Sequence, residues 1–216
     1  MTADARFWNE IAEAYSRKPV EDPEAFERKI AITLGCMRPH HVVLDIGCGT
    51  GSLALRLAPH AAHVHGLDIS TEMVRIARTK AASANISNVS FHVGAVESHD
   101  EFAAESLDGV CAYSLLHLVE DRAAVLARIH RLLKPGGFFV SSNLCLSDSW
   151  VPYRPLLTAM RWVGKAPRVQ TFRRTELERA LSDAGFLNPA MPDVGAKPTI
   201  AFIVAHKAHD ASSTPL

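Results

Sequence analysis

Three glycines at alternate positions, Gly47, Gly49 and Gly51, directly follow the short apolar run Val42-Val43-Leu44. A continuous apolar run that begins β-branched and is closed by glycine reads as a strand buried on both faces, which is the habit of parallel sheets. The helical pattern of Ser52 to Leu57 follows at once, so the glycines form a tight strand-to-helix turn. Glycine serves there because it takes positive φ and lets other groups approach the backbone closely. A chain with this feature near its start is committed to strand–helix alternation.

The alternation continues. His63 to Leu67 reads as strand, Ser70 to Ala82 as helix with Ser70 at its N-cap, and Val89 to Val93 and Leu107 to Tyr113 as strands. Val125, Leu126, Ile129, Leu132 and Leu133 mark one helical face, stopped by Lys134-Pro135-Gly136-Gly137 before a strand over Phe138 to Ser142. Thr175 and Glu178 predict a capping box for a helix ending near Gly185, and strands follow around Leu187 to Met191 and Thr199 to Ala205. Ahead of all this, Phe7, Ile11, Ala14 and Tyr15 give an opening helix. Asp22-Pro23 caps a second, with Phe26, Ile30 and Leu34 on one face. Such alternation implies right-handed crossovers and a doubly wound α/β sheet.

Composition narrows the function classes. The 216 residues carry 23 Lys+Arg against 23 Asp+Glu, which gives no electrostatic footprint for nucleic acid. A hydrophobic content of 48% with 21% charged residues excludes global disorder. The four cysteines, Cys36, Cys48, Cys111 and Cys145, form no Cys-x-x-Cys and fit neither a zinc ribbon nor a disulfide scaffold. With no signal-peptide core and no apolar run long enough to span a bilayer, the expectation is a cytoplasmic protein.

Two places carry chemistry. The loop reads Asp45-Ile46-Gly47-Cys48-Gly49-Thr50-Gly51-Ser52, Gly-x-Gly-x-Gly rather than the Gly-x-Gly-x-x-Gly of dinucleotide folds, with Ser52 where the third glycine would stand. The absence of Gly-Lys-Ser/Thr argues against a nucleotide-hydrolase loop. Asp68 then ends the next strand, about 20 residues after Asp45, where an acid can accept hydrogen bonds from both hydroxyls of a ribose. The alternative for Asp68 is a solvent-facing or helix-capping acid.

Over nearly its whole length the sequence resembles the class I S-adenosylmethionine (SAM)-dependent methyltransferases, in the small-molecule branch of quinone-biosynthesis type. The resemblance rests on Phe7-Trp8-Asn9-Glu10-Ile11-Ala12 with Tyr15, the glycine loop, Gly66-Leu67-Asp68-Ile69-Ser70 and Met73. It extends through Leu115-Leu116-His117-Leu118 with Asp121, Leu132-Leu133-Lys134-Pro135-Gly136-Gly137, and Leu181 to Phe186. It implies a seven-stranded, mostly parallel sheet of Rossmann-like methyltransferase type whose last strand runs antiparallel. It also assigns Gly47, Cys48, Gly49 and Gly51 to the methionine and ribose portions of the cofactor. Asp68 would hold the ribose diol, Ile69 and Met73 would lie against the adenine, and Asp45 would orient the loop near the methionine end. The family's usual adenine-binding acid is replaced by Ala95 in Gly94-Ala95-Val96-Glu97. Adenine would then be read either by backbone near Ala95 and Val96 or by Glu97.

Residues 1–207 are expected to form one domain, with helices over 1–38, a substrate cover over 144–167, and a flexible tail at 208–216. The cover carries Tyr153, Leu156, Leu157 and Met160 at helical spacing between Trp150 and Trp162. It would enclose a partly apolar or aromatic acceptor, or else pack on the sheet edge; Arg154 and Arg161 leave open contact with a membrane surface. His117, beside the acceptor, is a candidate base or a structural hydrogen-bonding group. His63 and His65 share a strand face, but with no third ligand near in sequence no metal site is assigned. Thus the expected reaction is methyl transfer from SAM to a small molecule. The rivals are a SAM-binding regulatory or assembly module without turnover and a nicotinamide-dependent oxidoreductase. The acceptor and the oligomeric state are not written in the sequence.

Overall fold

The computed structural model describes residues 2–150, 153–162 and 166–209. Among the described residues, seven α-helices and seven strands follow in the order α1 (Ala3–Arg17), α2 (Pro23–Cys36), β1 (Val42–Ile46), α3 (Ser52–Leu57), β2 (His63–Asp68), α4 (Thr71–Ser83), β3 (Val89–Val93) and β4 (Leu107–Tyr113). They continue with α5 (Arg122–Leu132), β5 (Leu133–Leu144), α6 (Tyr153–Trp162), α7 (Arg174–Asp183), β6 (Phe186–Ala190) and β7 (Ile200–Lys207). The strands form one sheet in the order β3-β2-β1-β4-β5-β7-β6. The pairs from β3 to β5 are parallel, and β7 runs antiparallel to both its neighbours. This is the expected doubly wound, seven-stranded sheet with its last strand reversed.

Alternation along β1 divides the core. Leu44 and Ile46 face Val125, Leu126 and Ile129 of α5 and Leu177 and Leu181 of α7. Val43 faces the other layer, built by Ile30 of α2, Leu53 and Leu57 of α3, and Val74 and Ala77 of α4. Burial of each such Leu, Ile or Val side chain contributes about 1.5–3 kcal/mol, so both layers are held to the sheet over its length. The strand order reverses between β1 and β4, and a crevice for ligands opens there at the strands' carboxyl ends.

Four of the helices, α1, α2, α4 and α5, start where short polar side chains satisfy free N–H groups. Thr2, Asp22, Ser70 and Asp121 accept from Ala5, Ala25, Met73 and Ala124 at 3.2, 3.0, 3.1 and 2.9 Å. The start of α7 departs from the sequence expectation. Glu176, not Glu178, reaches back to a backbone N–H, that of Arg173 at 2.8 Å, and Asp148 accepts from Arg174 N–H at 3.0 Å. Thr175 therefore lies inside the first turn. The fifth strand begins at Leu133 rather than Phe138, because Leu107 of β4 pairs with Leu133 before the register shifts to Gly109 opposite Phe138. Lys134-Pro135-Gly136-Gly137 stops α5 but is absorbed into an irregular strand start. The last two strands sit at Phe186–Ala190 and Ile200–Lys207, a residue or two from their expected limits.

Candidate active site

The glycine loop leaves β1 at the reversal of strand order. Gly47, Gly49 and Gly51 all take positive φ, +69°, +53° and +80°. A Cβ on Gly47 would lie 2.9 Å from Leu115 Cδ1, and one on Gly51 3.0 Å from both Ala77 Cβ and the Phe91 ring. Backbone conformation and close approach thus both require glycine. The N–H groups of Gly47 and Cys48 donate to Leu67 O at 2.7 and 3.1 Å, and that of Gly51 donates to Cys48 O at 3.0 Å. Gly49 N–H donates to Asp68 Oδ2 at 2.9 Å. These four donors are spent within the protein, so the loop does not hold out the row of free amides that cradles a pyrophosphate. The finding weighs against the nicotinamide reading.

Asp68 closes the loop from β2. Its second oxygen accepts from Ser70 N–H at 2.9 Å. Each carboxylate oxygen has accepted one backbone bond and retains acceptor capacity for one more, which matches a vicinal diol. Burial pushes its pKa up, opposed by the bonds from Ser70 and Gly49. Asp45 lies beneath the loop, 1% exposed, and its Oδ2 has no hydrogen-bond partner. Burial first, then the Asp68 charge, push its pKa up to about 8, against one bond from the Ala54 backbone. A buried acceptor without a donor suits a ligand that brings a cationic ammonium. The residues present therefore fit a nucleoside carrying an amino-acid arm.

The opening helix covers the loop. Asn9 Oδ1 accepts from Ser70 Oγ at 2.6 Å, Thr71 Oγ1 at 3.3 Å and Glu72 N–H at 3.2 Å, fastening α1 to the start of α4. Glu13 reinforces the contact with an ion pair to Arg75 at 2.6 Å. Tyr15 is thereby set over Gly49, its Cε1 3.8 Å from where a Cβ would stand, and its exposed ring is not core. Ile69 is half-buried. Met73 is buried against α1 with Ala12, Ile76 and Trp8, so its side chain belongs to the α1–α4 contact. The Cys48 thiol, buried near Gly66, is pushed well above its usual range by burial, with Asp45 and Asp68 adding to the effect, and is no nucleophile.

Gly94 N–H donates to Asp68 O at 2.9 Å, which holds the stretch after β3 beside β2. Val96 is buried, Ala95 half-buried and Glu97 exposed. After β4, Ser114 takes a left-handed φ of +55° and its N–H donates to Ser142 O at 2.6 Å. The turn that follows is fixed by Leu116 N–H to Asn143 Oδ1 at 3.0 Å. His117 is buried there, with Nδ1 unpartnered, and burial pulls its pKa down to about 4. Its carbonyl accepts from Gln170 N–H at 2.7 Å. Beside it a cleft of about 700 Å³ is lined by Leu157, Arg161 and Trp162 of α6 and by Pro167, Arg168 and Gln170, among others.

Asn143 and Gln170 were not singled out from the sequence. Asn143 had a signal: Ser141-Ser142-Asn143 is polar at the end of a strand otherwise buried on both faces. Gln170 had none. The histidine pair His63 and His65 proves less isolated than the sequence suggests, since both rings reach Ser90 Oγ at 2.9 Å. Trp150 and Trp162 are almost fully exposed, whereas residues 151–152, 163–165 and the tail beyond 209 lie outside the described residues, as do the side chains of Arg154 and Leu156. No described helix is long and apolar enough to cross a membrane.

A doubly wound sheet with a glycine turn at its reversal point and an acid on the next strand is an arrangement suited to a nucleoside. Residues 43–137 match the family model described as a methyltransferase domain. The chain is 39% identical over 103 residues to the ubiquinone biosynthesis O-methyltransferase of Serratia proteamaculans, a match covering 47% of this chain and 42% of that protein. It is 30% identical over 183 residues to the O-methyltransferase cnsE of Penicillium expansum, covering 83% of this chain and 63% of that one. The chain spans less than half the length of the ubiquinone-biosynthesis relatives it matches. Its fold is similar to that of the Haemonchus contortus phosphoethanolamine N-methyltransferase 2 in complex with SAM. The TM-score is 0.70 at 18% identity, covering 85% of this chain and 53% of that one.

Proposed function

We propose that this chain transfers the methyl group of SAM to an oxygen of a small, partly apolar acceptor. The cofactor part rests on one arrangement, the Gly47–Gly51 turn closed by the Asp68 carboxylate, with the unpartnered Asp45 beneath it. In this reading Asp68 holds the ribose diol, Asp45 meets the ammonium of the methionine arm, and Ala95 with Val96 flanks the adenine. Glu97 stands at the exposed rim. SAM supplies a methyl already activated on a sulfonium. The protein orients the acceptor and excludes water, which are the main contributions a protein makes to such a displacement.

The cleft between α6 and residues 167–171 is the proposed acceptor site, with 144–167 as its cover and 1–207 acting as one domain. Oxygen is preferred because the relatives reported above at 30% identity or more are O-methyltransferases. His117 serves there as a neutral hydrogen-bond acceptor that aims a hydroxyl. Full proton removal from a phenol of pKa about 10 by a group at about 4 would be uphill by roughly 8 kcal/mol. A panel of phenols and catechols incubated with protein and SAM should yield methyl ethers detectable by mass. Tight SAM binding with no transfer to any acceptor would instead indicate a binding module.

A further inference from the structure

The sheet's free edge carries a histidine cluster that the cofactor and acceptor sites do not use. His92 Nδ1 lies 2.8 Å and His99 Nε2 3.1 Å from Glu101 Oε2. The three ligating atoms are all within 4.8 Å of one another. A tetrahedral zinc ion with bonds of about 2.0–2.1 Å has ligand-to-ligand edges of about 3.4 Å. The three atoms thus need only small side-chain adjustments to become three corners of such a site.

The surroundings match what metal-binding histidines require. The other nitrogen of His92, Nε2, lies 3.2 Å from Ser90 Oγ. That hydroxyl is itself 2.9 Å from His65 Nδ1 and from His63 Nε2. Such a partner fixes the tautomer that leaves Nδ1 free to ligate. Phe102, buried, packs its ring against His65, His92 and His99 and gives the cluster an apolar floor. A Cβ on Gly94 would lie 2.9 Å from His99 Nδ1, so glycine is needed for that ring to sit where it does. His92 and His99 are only partly exposed, while Glu101 faces solvent and leaves a route of entry.

We infer that His92, His99 and Glu101 form a binding site for a divalent transition-metal ion of the zinc class, supported by Ser90. Two imidazoles and one carboxylate are a borderline donor set, suited to Zn²⁺ or Co²⁺ and ill-suited to Mg²⁺ or Ca²⁺. A bound ion bridges β3 to residues 99–101 and so closes the intervening stretch that carries Ala95, Val96 and Glu97. The site stands apart from the methyl-transfer reading, and its test uses neither cofactor nor acceptor.

Chelator-stripped full-length protein titrated with Co²⁺ should take up one equivalent at micromolar concentration and develop visible absorption of a four- or five-coordinate ion, displaced by Zn²⁺. Glu101→Gln and His99→Ala should weaken binding at least tenfold, and Ser90→Ala about tenfold through loss of the supporting bond. Glu101 is exposed, so Glu101→Gln keeps the fold, which a matching circular dichroism spectrum would verify. Equal binding by wild type, Glu101→Gln and His99→Ala would assign the metal to other histidines and overturn the proposal. So would the absence of micromolar binding by the wild type.

Discussion

Asp68 and Asp45 both adjoin the glycine loop, and their burial gives each a different test. Asp68→Ala removes a charged acceptor from the proposed diol and from Gly49 N–H. SAM affinity should fall roughly ten- to a hundredfold, or about 1.5–3 kcal/mol, by calorimetry; an unchanged dissociation constant would place Asp68 outside the site. Asp45 works through its proton. Its folded pKa of about 8 is raised above the ordinary 3.8, so the folded chain binds a proton more tightly than the unfolded one. The ligand-free protein therefore loses stability from this group as pH rises from about 4 to about 8. His117, pulled down to about 4, acts oppositely and costs stability as pH falls below its ordinary 6.5. Asp45→Asn should flatten the alkaline side and stabilise the ligand-free protein at pH 8 by a few kcal/mol, on the order of a buried charge's penalty. Denaturant unfolding of both proteins at pH 6 and pH 8 measures the difference. These two acids were legible in the sequence because a strand-end position fixes what surrounds it. The lone pair left on Asp45 was not, since it depends on which donors the folded loop has already spent.

The opening helix is held to the site by Asn9, whose single oxygen is approached by three donors at the start of α4. Asn9→Ala should destabilise the protein by about 1–2 kcal/mol, the usual cost of a lost cap and its buried bonds. Because Tyr15 rides on α1 over Gly49, SAM affinity should fall as well, whereas loosening of an unrelated helix would leave it unchanged. Urea unfolding and calorimetry on the same variant check both. Local rules wrote the starts of α2 and α4, where Asp22 and Ser70 cap as expected, while Thr2 and Asp121 cap α1 and α5 without having been singled out as caps. The start of α7 escaped them because Asp148, distant in sequence, satisfies Arg174 N–H and moves the helix boundary. The histidine cluster escaped for a similar reason. His65 and Ser90 meet only through the parallel register of β2 with β3, which pairs them as neighbours. A one-residue shift in that pairing would have put the rings on opposite faces.

The topology gathers distant parts of the chain at the carboxyl ends of the strands, where the crevice opens. Arg168 donates its N–H to Asp4 of α1 at 3.2 Å and pairs with Glu120 at 2.6 Å, while Gln170 binds the His117 carbonyl. The segment after α6 is thereby stitched to both α1 and the turn after β4. Two apolar side chains of α6, Leu157 and Trp162, face the cleft. Trp162 is 87% exposed, so its removal should cost less than about 0.5 kcal/mol of stability. An aromatic wall against an apolar acceptor, by contrast, contributes on the order of 1–2 kcal/mol of binding. Trp162→Ala and Leu157→Ala should therefore lower kcat/KM for the acceptor roughly tenfold and leave SAM affinity within twofold. A membrane role for the same face predicts instead that wild type, but not Trp162→Ala, sediments with anionic liposomes. Wild-type turnover in both variants would reduce α6 to packing on the sheet edge and remove the cleft from the acceptor site.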